Sequence, residues 1–303
     1  MTLHPFIAAM LEQLKGRPAL SAGSPEDARA MVAAARAVIG RGPAMAGVRD
    51  IQIPTRAGSV AARLYRPSGA PAGMLVYLHG GGWVVGALDD YDALARTLAA
   101  QSGCAVLLPD YRLAPEHPFP AGLEDAVDAV LHARTLAGPE APLLVAGDSA
   151  GANLAVVAAR KLRGEVALAG QVLIYPVADS DFDRPSYREF GAGLPLTRDD
   201  MVWFFRHYAP EALWTSPDIA PLRAAHDLAG LPPTLLVLAE CDVLADEGRA
   251  FADALEGAGV QVARRKAEGV THGFIRLHNL FDVAAREVEA VADFAARASR
   301  AAN

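Results

Sequence analysis

Gly147-Asp148-Ser149-Ala150-Gly151 places a serine at the spacing G-x-S-x-G, after the apolar run Leu143–Ala146 and before an Ala-rich run from Asn153 to Lys161. A serine on a sharp strand-to-helix turn is held in a strained backbone conformation, with its hydroxyl raised above the sheet edge. Positions 147 and 151 must be small, because a side chain at either would collide with the neighbouring strand and helix. A helix starting behind Ser149 aims its free N–H groups and positive dipole end at the place where a negative oxygen would form. The five-residue pattern alone arises by chance in many Gly- and Ala-rich chains. Here a second motif supports it: His79-Gly80-Gly81-Gly82-Trp83, after the apolar run Met74–Leu78. Three glycines behind a strand let backbone N–H groups turn inward onto a tetrahedral oxyanion. A phosphate loop does not fit, since no Gly-Lys-Ser/Thr follows and the G-x-G-x-x-G spacing is not met.

A serine hydroxyl is a poor nucleophile at neutral pH and needs a general base, which in turn needs an orienting acid. Of the eight histidines, His272 stands in the turn-like segment Gly269-Val270-Thr271-His272-Gly273-Phe274, just after the last strand-like run. Chemistry in a parallel sheet collects beyond the C-terminal strand ends, so His272 is the expected base. His79 belongs to the Gly-rich turn and is expected to brace it. His132 and His278 fall on helical stretches and suit surface or core roles. For the acid, Asp242 comes first after the strand-like run 234–239. Asp246 and Glu247 lie a turn later, where acids favour a helix start. Asp242 is therefore the expected acid and Asp246 the runner-up, giving the chain order Ser, Asp, His.

The elements that must position these groups are legible as an alternation. Strand-like runs lie at Val48–Ile53, Val60–Tyr65, Met74–Leu78, Cys104–Leu108, Leu143–Ala146, Gln171–Tyr175, Thr234–Ala239 and Val260–Lys266. The first two alternate in polarity, as an antiparallel edge pair would. Most of the others are short, apolar on both faces and separated by helical stretches, which predicts a parallel sheet covered on both sides. Helices are expected at Tyr91–Gln101, Gly122–Leu136, Asn153–Arg163, Asp246–Glu256 and Asn279–Ala298. Two more precede the sheet. One carries Phe6, Ile7, Met10, Leu11 and Leu14 at a helical period, and the other starts at the Ser24-Pro25-Glu26-Asp27 cap and ends near Gly40. An insertion between the runs at 171–175 and 234–239 holds Arg198–Tyr208, whose cluster Trp203, Phe204, Phe205 and Tyr208 suits core packing as well as a substrate pocket.

Composition narrows the classes. With 52% apolar residues in 303, a large core can be buried. The formal charge of −7, without a Lys/Arg cluster, makes nucleic acid an unexpected partner. Two cysteines, Cys104 and Cys241, are too few for a disulfide framework and lack zinc-site spacing; buried thiols are expected. No apolar run reaches spanning length and residues 1–20 do not read as a signal peptide, so the expectation is a cytoplasmic protein without stable membrane insertion.

The chain resembles the hormone-sensitive-lipase-like (family IV) esterases of the α/β-hydrolase superfamily, in the GDSAG subgroup. The resemblance rests, in order, on His79–Trp83, Asp110-Tyr111-Arg112-Leu113-Ala114-Pro115-Glu116, Gly147–Gly151, Asp242–Gly248 and His272-Gly273-Phe274. It implies an α/β-hydrolase fold with an eight-stranded, mostly parallel sheet and a helical cap. The cap would comprise residues 1–45 and an insertion at about 180–223, on a catalytic domain of residues 46–303. By resemblance Ser149 is the nucleophile, His272 the base, Asp242 the orienter, and the N–H groups of Gly81, Gly82 and Ala150 form the oxyanion hole. The Tyr111–Glu116 segment would support the Gly-rich loop. No cofactor or metal is required. The implied activity is hydrolysis of small-molecule carboxylic esters with short-to-medium acyl chains through an acyl-enzyme. An amidase or deacetylase using the same triad and a non-catalytic hydrolase-fold receptor are the alternatives; the intact His272 speaks against a receptor. Related enzymes often dimerise through edge strands. The edge here would be Val260–Lys266, where Arg264, Arg265 and Lys266 could instead discourage pairing.

Overall fold

The computed structural model describes residues 2–302. Eight strands form one sheet: β1 (Gly47–Thr55), β2 (Gly58–Arg66), β3 (Met74–Leu78), β4 (Ala105–Pro109), β5 (Leu143–Asp148), β6 (Gly170–Ile174), β7 (Thr234–Cys241) and β8 (Val262–Thr271). Their order is β1-β2-β4-β3-β5-β6-β7-β8. β2 runs antiparallel to both β1 and β4, and the remaining pairs are parallel. The period-2 rule of a strand explains why the central runs are apolar throughout. On β3, Met74, Val76 and Leu78 join one core, while Leu75 and Tyr77 join the other. Helices α5 (Ala121–Ala137), α6 (Ala150–Lys161) and α9 (Ala245–Gly257) cover the first face. Helices α4 (Leu88–Ser102) and α10 (Asp282–Ala301) cover the second.

Three differences from expectation matter. Helix α6 starts at Ala150 rather than Asn153, so Ser149 is its N-cap and stands directly at the helix's positive end. Strand β8 runs on to Thr271 instead of stopping at Lys266. Its charged middle had hidden the continuation: as an edge strand it exposes Arg264 and Arg265, which pair with Asp253, Glu256 and Glu287 on the covering helices. A short helix, α7 (Pro185–Phe190), was not anticipated, because six residues offer too little periodicity. Both cysteines are buried. No helix of the described residues is long and apolar enough to cross a membrane.

The segments outside the sheet are tied to each other and to the strand ends. α1 (Pro5–Leu14), α2 (Pro25–Ala34) and α3 (Arg36–Ile39) precede β1, and α8 (Arg198–Tyr208) lies in the insertion between β6 and β7. Asp200 closes a capping box with Thr197 and also accepts from the Ser21 N–H at 2.8 Å, joining the two parts. Arg29 on α2 holds the Val84 and Ala114 carbonyls at 2.9 and 3.0 Å and makes a two-point ion pair with Glu116.

The root of the insertion is anchored by a buried carboxyl. Glu247 on α9 accepts from the N–H groups of Ala178 and Asp179 at 2.8 and 3.3 Å, while Asp179 pairs with Arg184 and Arg223. Burial pushes Glu247 up from the ordinary glutamate range to about 8, and the Asp179 charge adds to this, against the two N–H donors and Arg184. A carboxyl raised in the folded state contributes stability that is fully present below its unfolded pKa and is lost as pH rises through about 8. The Tm of the wild type is therefore expected to fall more steeply between about pH 5 and about pH 8 than that of Glu247→Gln, at roughly 1.5 °C for each kcal/mol. Parallel profiles in a thermal scan would mean that Glu247 is already ionised at neutral pH.

Candidate active site

Ser149 has φ 55° and ψ −121°, a conformation that few non-glycine residues tolerate and that the turn from β5 into α6 imposes. The flanking glycines are sterically required. A Cβ at Gly147 would lie 2.4 Å from the Gly151 carbonyl, and one at Gly151 would lie 2.0 Å from the Leu78 carbonyl oxygen. The turn is pinned by Ser149 N–H to the Ile174 carbonyl at 2.8 Å.

His272 follows the last residue of β8, and Gly273 behind it takes φ 79°. The ring reaches Ser149 Oγ through Nε2 at 2.9 Å and Asp242 Oδ2 through Nδ1 at 2.7 Å. Asp242 is 1% exposed, and its Oδ1 accepts from the Leu244 N–H at 3.0 Å. The three residues singled out in the sequence thus meet in one hydrogen-bonded series, from three strand ends. The runner-up Asp246 does not join them. It accepts from the Ser186 N–H at 2.6 Å and pairs with Arg249, anchoring α7. His278 is buried against Thr97 Oγ1 at 2.9 Å, and His4 caps α1.

The Gly-rich loop comes within reach of the same place. Gly81 and Gly82 take φ 123° and 57°. A Cβ on Gly81 would meet the Val85 carbonyl oxygen at 2.1 Å, and one on Gly82 would meet the Phe204 ring at 2.2 Å. The N–H groups of Gly81, Gly82 and Ala150 donate to no described residue, and both glycines line the same pocket as Ser149. His79 is stacked on Tyr111 at 4.3 Å, and its Nδ1–H donates to the Gly80 carbonyl at 2.8 Å. Burial lowers its pKa to about 4, so it stays neutral and braces the loop. Tyr111 Oη donates to the His79 carbonyl at 2.7 Å and the Ala114 N–H to the Trp83 carbonyl at 2.9 Å, so the Tyr111–Glu116 segment holds the loop from outside.

Asp148 is a tie between loop and serine that the sequence did not disclose. Its buried carboxyl accepts from the Gly80 N–H at 2.9 Å and from Tyr77 and Tyr91 at 3.0 and 3.1 Å. Burial raises its pKa, and the hydrogen bonds from Tyr77, Gly80 and Tyr91 oppose the shift. The two tyrosines stand far from Asp148 in the chain, so no local pattern announces the cluster. The pocket over Ser149 is also lined by Met10, Leu14 and Val32 from the N-terminal helices and by Met201 and Phe204 from α8. Phe205 and Tyr208 of the same aromatic cluster pack in the core instead.

A hydroxyl, an imidazole and a buried carboxylate in series, beside unused backbone donors, form the arrangement of a serine hydrolase. A family model described as alpha/beta hydrolase fold matches residues 75–276. The chain belongs to the α/β-hydrolases. Within them it is one of the hormone-sensitive-lipase-like esterases. It is 38% identical to an ethyl acetate hydrolase of Pseudomonas putida, over 94% of this chain and 95% of the relative. It is 42% identical to the carboxylic ester hydrolase LipN of Mycobacterium tuberculosis, over 77% of this chain and 65% of LipN. An esterase structure from Pyrobaculum calidifontis superposes with a TM-score of 0.90 at 36% identity, covering 97% of this chain and 98% of that one. The α/β-hydrolase chain described here is accordingly a carboxylic ester hydrolase.

Proposed function

We propose that this carboxylesterase works through Ser149 as nucleophile, His272 as general base and then acid, and Asp242 as the orienting carboxylate. The observation that carries this reading is the unbroken series Ser149 Oγ, His272 Nε2, His272 Nδ1, Asp242 Oδ2, at 2.9 and 2.7 Å. Ser149 Oγ attacks the ester carbonyl carbon while its proton passes to His272 Nε2. The carbonyl oxygen takes the negative charge and is met by the N–H groups of Gly81, Gly82 and Ala150. Donors of this kind are each worth about 100–1,000-fold in turnover. His272 then protonates the departing alkoxide, leaving an acyl ester on Ser149. Water repeats the sequence, with His272 as base, and releases the acid. Every proton is accounted for by the imidazole, so the cycle needs no further group.

Residues 1–45 and the insertion at about 180–223 act in this reading as a cap over the acyl pocket. The cavity measures about 230 Å³, below the usual range of about 300–1,000 Å³ for ligand pockets. The expected substrates are esters of short-to-medium acyl chains, roughly two to eight carbons. Initial rates on p-nitrophenyl esters from acetate to palmitate, with a p-nitroanilide beside them, test this. The expected result is a maximum at short chains with little amide turnover. A maximum at long chains would overturn the size limit, and turnover of the anilide alone would move the activity to amides.

A further inference from the structure

We propose that Arg276 is a specificity residue for esters that carry a carboxylate a few carbons from the ester group. The inference rests on the ester-hydrolase reading above and names the class of substrate that the pocket favours. Arg276 stands four residues beyond His272, in the turn Phe274–Leu277, and lines the same pocket as Ser149, Gly82 and His272. Apart from His272 and the buried Asp148, it is the one ionisable charge on a wall otherwise made mainly of aliphatic and aromatic side chains, among the described residues. Its side chain is only 15% exposed, so the guanidinium has lost most of its hydration and ought to be repaid by close partners.

The fold supplies few close hydrogen bonds, although the guanidinium charge also acts on the buried Asp148 carboxyl, whose pKa burial raises and Arg276 lowers. Nε and Nη2 donate to the Asp90 backbone carbonyl at 3.3 and 3.2 Å, longer than the ~2.7–2.9 Å of a charge-assisted bond. The Asp90 carboxylate is 3.9 Å from Nη2 and already binds Arg36 Nε at 2.7 Å. The Tyr91 ring lies beneath the guanidinium at 5.0 Å. Nη1 donates to no described residue and is not enclosed. A planar cation held by a ring and a carbonyl, with a donor left over on a side chain that lines the nucleophile's pocket, suits one carboxylate of a half-ester. Hydrolysis would then convert the monoester of a dicarboxylic acid and water into the diacid and the alcohol, or an acyloxy acid and water into a carboxylic acid and a hydroxy acid.

The test compares kcat/KM by pH-stat titration for matched pairs: monoethyl succinate against ethyl valerate, which places the charge on the acyl arm, and 3-acetoxypropanoate against butyl acetate, which places it on the alcohol arm. The readout is the anionic-to-neutral ratio, so any general loss from disturbing the His272 turn cancels. In Arg276→Gln the ratio is expected to fall by about 10–100-fold on at least one arm, the worth of a hydrogen bond to a charged group. Arg276→Lys, which keeps the sign, should retain most of it. A residue that only supported the turn or Asp148 would lower both rates of a pair together. Ratios within about 3-fold of wild type on both arms, or a wild type that cleaves the neutral esters and neither anionic one, would overturn the assignment. A wild type that cleaves no ester would instead count against the reading on which it rests.

Discussion

Ser149→Ala is expected to lower kcat on p-nitrophenyl butyrate by about a million-fold while the protein stays folded, because loss of the nucleophile removes the covalent path altogether. The fold should tolerate the change. The Oγ hydrogen bonds only to His272 among the described side chains, and alanine meets the same φ of 55° that serine already bears. The loops on either side are held by other groups: the Ile174 carbonyl on the Ser149 N–H, and Asp148 on Gly80. The backbone donors of the Gly-rich loop and of Ala150 would survive, so a residual rate above that of water, by about 1,000–10,000-fold, is expected to remain. Labelling by a fluorophosphonate, which reports an activated serine, should disappear in the same variant. Esterase activity within tenfold of wild type in the folded variant would remove Ser149 from the mechanism.

The site was legible where chemistry and backbone geometry are set by the same few residues. The turn at 147–151 is one case: its glycines are there because a Cβ at 151 would sit on the Leu78 carbonyl, and the same crowding thrusts Ser149 outward. His272 was legible because chain order and strand ends pick it out, although β8 ends five residues beyond the expected Lys266. The choice of Asp242 over Asp246 followed from which acid meets the strand end first, and the pairing of Asp246 with Ser186 and Arg249 explains why the second acid is present at all.

What was not legible is built from segments distant in the chain. The Asp148 cluster draws on Tyr77 and Tyr91, and the pocket wall on α1, α2, α8 and the turn after His272. Each of those side chains is ordinary in its own helix or strand, and only the packing of the helices against the strand ends brings them together. Arg276 shows the same limit. Within Phe274–Leu277 it reads as a surface charge, and it becomes notable only when Tyr91 and Asp90 from α4 are placed beneath it.

Asp242→Asn separates the two acids, and its effect follows from the hydrogen-bond polarity around a single side chain. Oδ1 of Asp242 accepts from the Leu244 N–H, and Oδ2 faces His272 Nδ1. In the variant the amide oxygen must stay on the Leu244 side, since an NH2 group there would set donor against donor. The NH2 group is then directed at His272 Nδ1, which must become an acceptor. The imidazole proton moves to Nε2 and points at Ser149 Oγ, so the ring can no longer take the hydroxyl proton. The imidazolium that forms in each half-reaction also loses its negative neighbour. A fall in kcat of about 10,000-fold is expected with little change in Tm, the size seen when this tautomer is reversed in a serine protease. Asp246→Asn, which touches only the Ser186 and Arg249 contacts, should change kcat little and lower Tm instead. The opposite pattern, with kcat lost in the Asp246 variant and kept in the Asp242 variant, would transfer the orienting role to the acid at the head of α9. Loss in both would mean that the anchoring of α7 by Asp246 is needed to hold the His272–Asp242 pair in register.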